Sequence, residues 1–204
     1  MNQIIISGTD TDIGKTVFAC ALTQALKATY WKPVQAGLQD ETDTQFVSRL
    51  SGQKVLEETY RLNTPASPHI AADIDGLQID LDKLQLPNIS EPLIVEGAGG
   101  LMVPLTHQKT YLDIFEKWNK PVVLVARTAL GTINHSLLSI NALRQRGVPI
   151  LGIAFVGDEV IESEKTIEKM GQVKRLGRLP LLPNLTSQSL SSAFEANFDL
   201  GDFS

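Results

Sequence analysis

The run Gly8-Thr9-Asp10-Thr11-Asp12-Ile13-Gly14-Lys15-Thr16 follows directly on the apolar residues Ile4-Ile5-Ile6, and a helix-forming segment over residues 17–27 comes next. A buried strand, a loop closing in Gly-Lys-Thr and a helix are the context that a phosphate-binding P-loop requires. Gly14 lets the backbone approach a polyphosphate, and the amides at the helix start point at its oxygens. Lys15 then reaches the β- and γ-phosphates, and the Thr16 hydroxyl sits on Mg2+. The spacing departs from the general pattern: five residues separate Gly8 from Gly14, so in the standard spacing the first glycine falls at Thr9. A chance loop before a helix is the plain alternative. Placement of Gly-Lys-Thr straight after a strand favours a nucleotide-binding enzyme.

A chain of 204 residues buries a substantial core and is expected to form one domain, 1–204. A net charge of −5 disfavours nucleic acid as the main partner, while small anionic ligands remain compatible with it. Cys20 is the single cysteine, which excludes an intrachain disulfide and a cysteine-type zinc cage. It falls within the first helix and reads as a small core residue. No basic segment leads into a long apolar run at the start, and nothing approaches a membrane span. The expectation is a cytoplasmic protein with no membrane partner.

Apolar runs alternate with helical patterns in the order of an α/β sheet. The expected strands are 3–7, 29–34, 92–96, 121–126, 149–156 and 173–178. Leu93-Ile94-Val95, Val122-Val123-Leu124-Val125 and Ile150-Leu151-Gly152-Ile153 are nearly continuous apolar runs, as in strands covered on both faces, so the sheet is expected to be mostly parallel. Expected helices are 14–28, 42–50, 111–119, 134–146 and 162–170, with Gly147 and Gly171 as C-caps. The fold class is thus α/β, a P-loop NTPase-like sheet flanked by helices. Residues 51–90, with Pro65, Pro68 and Pro87, read as an irregular excursion over one end of the sheet. Residues 184–204 read as a polar tail, docked or mobile, with Phe194, Phe198 and Phe203 as its aromatic anchors.

Ligands bind outside the carboxyl ends of the strands in such sheets, and four strand ends here carry unusual residues. They are the Gly-Lys-Thr loop, Lys32-Pro33-Val34-Gln35-Ala36-Gly37, Glu96-Gly97-Ala98-Gly99-Gly100, and the segment from Arg127 to Asn134. Lys32 beside Lys15 would be repelled unless an anion lay between them. A strand-end lysine reaching solvent is the bland alternative. Glu96, after Leu93-Ile94-Val95, needs a cation, either Mg2+ or a lysine in a structural ion pair. Asp40 and Asp43 near a helix start are explained equally by capping and the helix dipole, and physics alone does not choose between them as metal ligands. Gly131-Thr132-Ile133-Asn134 leads into another helix and offers either an anion site or a simple cap. His69, His107 and His135 lack metal spacing and read as polar structural residues. Trp31 and Trp118 read as packing residues.

Taken together, residues 8–16, 32–37, Ser-Pro-His at 67–69, Glu-Gly-Ala-Gly-Gly at 96–100 and Leu-Gly-Thr-Ile-Asn-His at 130–135 resemble the dethiobiotin synthetase family. They occur in that family's order over nearly the whole chain. The resemblance implies an ATP-dependent ligase of biotin biosynthesis that makes dethiobiotin, ADP and phosphate from 7,8-diaminononanoate, CO2 and ATP. It implies Lys32 and Lys15 as catalytic lysines and Thr16, Asp43 and Glu96 as Mg2+ ligands. ATP would meet Asp12, Ile13, Gly14, Lys15, Thr16 and Val17 from the loop, Asp43, the segment Glu96, Gly97, Ala98 and Gly99, and Pro180, Leu181 and Leu182 beside the base. Thr11, Lys32 and Ala36 would face the diamine, and Thr132, Ile133 and Asn134 would reach across a two-fold homodimer to the substrate carboxylate. Three departures stand out. Ala36 takes the place of a serine in many relatives. Phe155-Val156-Gly157-Asp158 lacks an asparagine that reads adenine, which puts base selectivity in question. The connection from the first helix to Lys32 is short. A partition-type switch ATPase shares the core, but Asp10 stands where such proteins carry a signature lysine. Amidating ligases of the cobyrinate type need a further glutaminase domain.

Overall fold

Ile4, Ile5 and Ile6 are all buried in β1 (Gln3–Gly8). Because side chains alternate along a strand, Ile4 and Ile6 enter one apolar cluster while Ile5 enters another on the opposite face. The structure, a computed structural model, describes residues 3–203. After β1 come α1 (Lys15–Leu26), β2 (Thr29–Trp31), β3 (Val34–Ala36), α2 (Asp43–Ser51), β4 (Val55–Leu56), β5 (Tyr60–Leu62) and α3 (Pro68–Ile74). The chain continues with β6 (Leu93–Gly100), α4 (Tyr111–Trp118), β7 (Val122–Arg127), α5 (Thr132–Gln145), β8 (Ile150–Val156), α6 (Ile161–Gly171), β9 (Arg175–Leu179) and α7 (Ser187–Asn197).

Seven strands form one sheet in the order β4-β2-β6-β1-β7-β8-β9, and every ladder in it is parallel. β1 lies between β6 and β7, so the loop that leaves β1 opens beside the ends of both. Phe18, Ala19 and Leu22 of α1 pack on Ile4 and Ile6. Tyr111, Phe115 and Trp118 of α4 pack on Ile5, Val95 and Trp31. Trp31 and Trp118 stand 5.9 Å apart, ring to ring, within this second cluster, as packing residues do. Cys20 is fully buried, and burial, aided by Glu96, pushes its thiol up to about 12.

The sheet departs from the expected strands in several places. The strand expected over 29–34 ends at Trp31, because Lys32-Pro33 turns the chain out of the sheet. β3 then pairs with β5 in a separate two-stranded parallel ladder, and the Pro33 carbonyl accepts the Tyr60 N–H at 3.1 Å. Residues 51–90 contain β4, which extends the main sheet beyond β2, along with β5, α3 and a 3-10 turn at Leu81–Lys83. β9 starts at Arg175, not at 173. Gly171 closes α6 from within, and Gln172 takes the left-handed cap position at φ 45°. Residues 184–204, read as a polar tail, contain α7 and a 3-10 turn at Leu200–Phe203. Phe194, Phe198 and Phe203 surround Phe18 at 6.2, 5.5 and 6.5 Å.

Candidate active site

The loop 9–14 joins β1 to α1, and Gly14 supplies the helix N-cap in the left-handed region at φ 83°. A Cβ there would stand 2.6 Å from Val156 Cγ1, so the loop tolerates only glycine at this point. Lys15 and Thr16 are therefore the first two residues of the helix. The kink after β2 delivers Lys32, and β6, which runs on to Gly100 where the expected strand stopped at 96, delivers Glu96 from its middle. α2 starts at Asp43 because Thr42 and Gln45 form a capping box. The Gln35 Oε1 of β3 also accepts the Asp43 N–H at 3.3 Å. Asp40 is exposed, so of the two acids that capping left undivided, Asp43 is the one turned inward.

These residues meet at Glu96, which has no exposed surface. Its Oε1 accepts from Lys15 Nζ at 3.0 Å, Thr16 Oγ1 at 2.8 Å and Lys32 Nζ at 3.3 Å. Its Oε2 accepts from Tyr30 Oη at 2.9 Å. Burial alone would raise the Glu96 carboxyl, but the Lys15 and Lys32 ammonium groups override it and hold it at about 2. Burial would likewise lower Lys32; the charges of Glu96 and Asp43 outweigh it and keep Lys32 well above the ordinary lysine range. Lys32 also bonds Asp43 Oδ2 directly. Both bland alternatives and functional readings thus begin from the same contacts: Lys32 points inward, and Glu96 is paired with both lysines.

Two cavities open on either side of the loop. One, of about 750 Å³, is polar and lined by Thr11, Lys15, Thr16, Lys32, Ala36, Asp43, Ser67, Ala98 and Gly99, among others. The other, of about 600 Å³, is lined by Val156, Gly157, Leu179, Pro180, Leu181 and Leu182. Asp12, Ile13, Gly14 and Val17 line both, so the loop is their common wall. An elongated ligand with a charged end and a flat apolar end fits this pair of spaces. Gly97 lies behind the wall, its α-carbon facing Phe115 and Tyr111. Thr132 is buried, Ile133 half-buried and Asn134 exposed, and none of the three lines either cavity.

Thr16 Oγ1 has one proton but two carboxylate oxygens in reach, Asp43 Oδ1 at 2.9 Å and Glu96 Oε1 at 2.8 Å. Three hard oxygens converging around a single proton suit a small divalent cation that keeps some of its water. Tyr30 was not foreseen from the sequence; it lies two residues before Lys32 in the expected strand 29–34, and that spacing could have found it. Val103 also lines the polar cavity unannounced, beside Gln35 and Ser67 of the two segments singled out in the sequence. Asp10 is held 3.6 Å from Arg127.

A family model described as AAA domain matches residues 2–189. The ATP-dependent dethiobiotin synthetase BioD of Rhodopseudomonas palustris (strain HaA2) is 63% identical over 203 residues, covering 98% of this chain and 95% of that protein. The protein of the same name from Novosphingobium aromaticivorans is 58% identical over 206 residues and covers both chains fully. Among solved structures, a ParA family ATPase from Chlorobium tepidum TLS has a TM-score of 0.56 at 10% identity. It covers 96% of this chain and 92% of that one, a likeness of fold alone.

Proposed function

Since this chain belongs to the ATP-dependent dethiobiotin synthetase family, a family of cyclo-ligases in biotin biosynthesis, we propose that it closes the ureido ring through a carbamate and a carbamic-phosphoric anhydride. The substrates are 7,8-diaminononanoate, CO2 and ATP, and ADP and phosphate leave. The gathering of Lys15, Lys32 and Thr16 around the buried Glu96, against a cavity with room for both reactants, is the observation that carries this reading.

The triphosphate lies on the loop from Asp12 to Val17, with the base in the apolar cavity beside Pro180, Leu181 and Leu182. Ala98 and Gly99 leave the backbone open to the nucleotide, and Gly97 supports them from behind. Thr16, Asp43 and Glu96 would hold Mg2+, which screens the phosphate charge when bound. Thr11, Lys32 and Ala36 face the diamine. The carbamate oxygen attacks the γ-phosphorus, and the second amine then attacks the carbamate carbon and expels phosphate. Every species on this path is anionic, so ammonium groups held in place stabilise charge as it develops. Lys32, kept protonated by two carboxylates, serves as that fixed positive charge. Thr132, Ile133 and Asn134 lie outside the chain's own cavities, which suits a role at a partner's substrate carboxylate in a homodimer. Action in the cytoplasm is part of the same proposal, and no described helix is long and apolar enough to cross a membrane.

Phosphate release from Mg·ATP with bicarbonate, measured with and without the diamine, tests the reading. Release should require the diamine and match dethiobiotin formed mole for mole. In Lys32→Ala it should fall by about 100- to 1000-fold, the usual loss when one fixed electrostatic donor is removed, with far-UV circular dichroism unchanged. Diamine-independent hydrolysis would instead indicate a switch ATPase.

A further inference from the structure

Ser67-Pro68-His69 takes no part in the steps above. Ser67 is the N-cap of α3, where a serine side chain ordinarily accepts a first-turn N–H. Here it makes no such bond, and Ser67 Oγ instead lies 3.1 Å from His69 Nδ1. Ser67 lines the polar cavity together with Thr11, Lys32 and Ala36. His69 is half-buried behind it, fixed by its backbone N–H to the Pro104 carbonyl at 3.3 Å. The His107 ring meets it edge-on at 5.2 Å, and His107 Nε2 is 2.7 Å from Asp73 Oδ2 at the exposed surface. The chain of groups therefore runs from cavity to solvent.

Ring closure strips a proton from the attacking nitrogen, and the groups that hold charge in this site are ill-suited to take it. Lys32 Nζ is already bonded to Asp43 and Glu96, and Glu96 is enclosed by four donors and lines neither cavity. Imidazole is the side chain whose ordinary titration lies nearest to neutral pH. We propose that Ser67 and His69 form a proton relay serving the diamine nitrogen during ring closure, an inference that rests on the ligase reading above.

As the nitrogen lone pair forms the C–N bond, its N–H proton passes to Ser67 Oγ, and the Ser67 hydroxyl proton passes to His69 Nδ1. Phosphate departs with the electron pair of the broken C–O bond. Ser67 meets the substrate, and His69 acts through it. The imidazolium that forms faces His107 and, through it, the Asp73 carboxylate. Asp75, at the other end of α3, is engaged by Asn63 N and Thr64 Oγ1. Arg61 of β5 is paired with Glu58 and Lys109 with Asp113, and β3 carries no charge.

Dethiobiotin formation from about pH 6 to 9 by wild type, Ser67→Ala, His69→Asn and the double variant tests the relay. His69→Asn keeps a polar group near the Nδ1 position. It should lower kcat about 100-fold at neutral pH, leave the ATP KM and melting temperature unchanged, and make kcat climb about tenfold per pH unit as the amine loses its proton unaided. Ser67→Ala should behave alike, and the double variant should be no worse than either, because both act in one path. A wild-type pH profile in either single variant, or losses that multiply in the double, overturns the relay. A lowered kcat with an unaltered profile assigns the pair a structural role and overturns it too. Failure of the wild type to make dethiobiotin overturns the ligase reading itself.

Discussion

Glu96 shows how one residue sets the electrostatics of the site. A carboxylate without solvent is costly unless paired, and four donors surround this one. Its ionisation lies at about 2 in the fold against 4.5 for a free side chain. The folded value is the lower one, so its stabilisation is full above about pH 4.5 and is lost as pH falls towards 2. Melting temperatures across that interval should therefore fall more steeply for wild type than for Glu96→Gln, the two curves converging at the acid end. Parallel curves would show that Glu96 gains nothing from its lysines. A lone acid after three apolar residues made Glu96 visible in the sequence. Tyr30 was hidden because a tyrosine in a strand looks like packing, and Ser67 was visible only within the Ser-Pro-His block of the resemblance, since a serine before proline otherwise looks like an ordinary helix cap.

Among the elements, the long apolar runs identified β6, β7 and β8 because strands covered on both faces have no polar side to confuse the pattern. Short edge pieces carry no such signal. β4 has only two residues, and β3 owes its separation from β2 to the proline after Lys32. α7 was obscured by polar surface residues, yet Leu190 and Phe194 are fully buried. Phe194 stacks on Phe198 at 4.6 Å and 11°, and together with Phe203 they enclose Phe18. Removing that ring leaves a cavity in the shared core, so Phe194→Ala should cost about 3 to 5 kcal/mol in urea unfolding. A loss within about 0.5 kcal/mol, the usual range at a surface site, would mean that α7 is an appendage.

For the whole molecule, the sheet order was beyond reach of the sequence, since apolar runs do not record their neighbours. The arrangement leaves one face unusually bare. Leu130 is 102% exposed, Met102 64% and Leu138 60%, and Met102 and Leu138 line a groove of about 360 Å³ along the second half of α5. Leu138 lies one turn after Asn134 on α5, and Leu130 just precedes Thr132, at either end of the segment proposed to serve a partner's substrate. Sedimentation equilibrium should give twice the chain mass of 22.3 kDa, and Leu138→Glu should shift the protein to monomer with loss of ligase activity. A monomeric and active wild type would remove the shared-site proposal.

The joining of α1 to α7 also sets a timetable for synthesis. Gln24 Nε2 donates to Ser187 Oγ at 2.9 Å across 163 residues of sequence. At ordinary translation speeds that separation amounts to roughly ten to thirty seconds. Throughout that interval the nascent chain holds Phe18 on an unclosed helix face, with its covering rings still inside the ribosome or not yet made. The nucleotide loop thus emerges long before α7, the helix that seals the one carrying it.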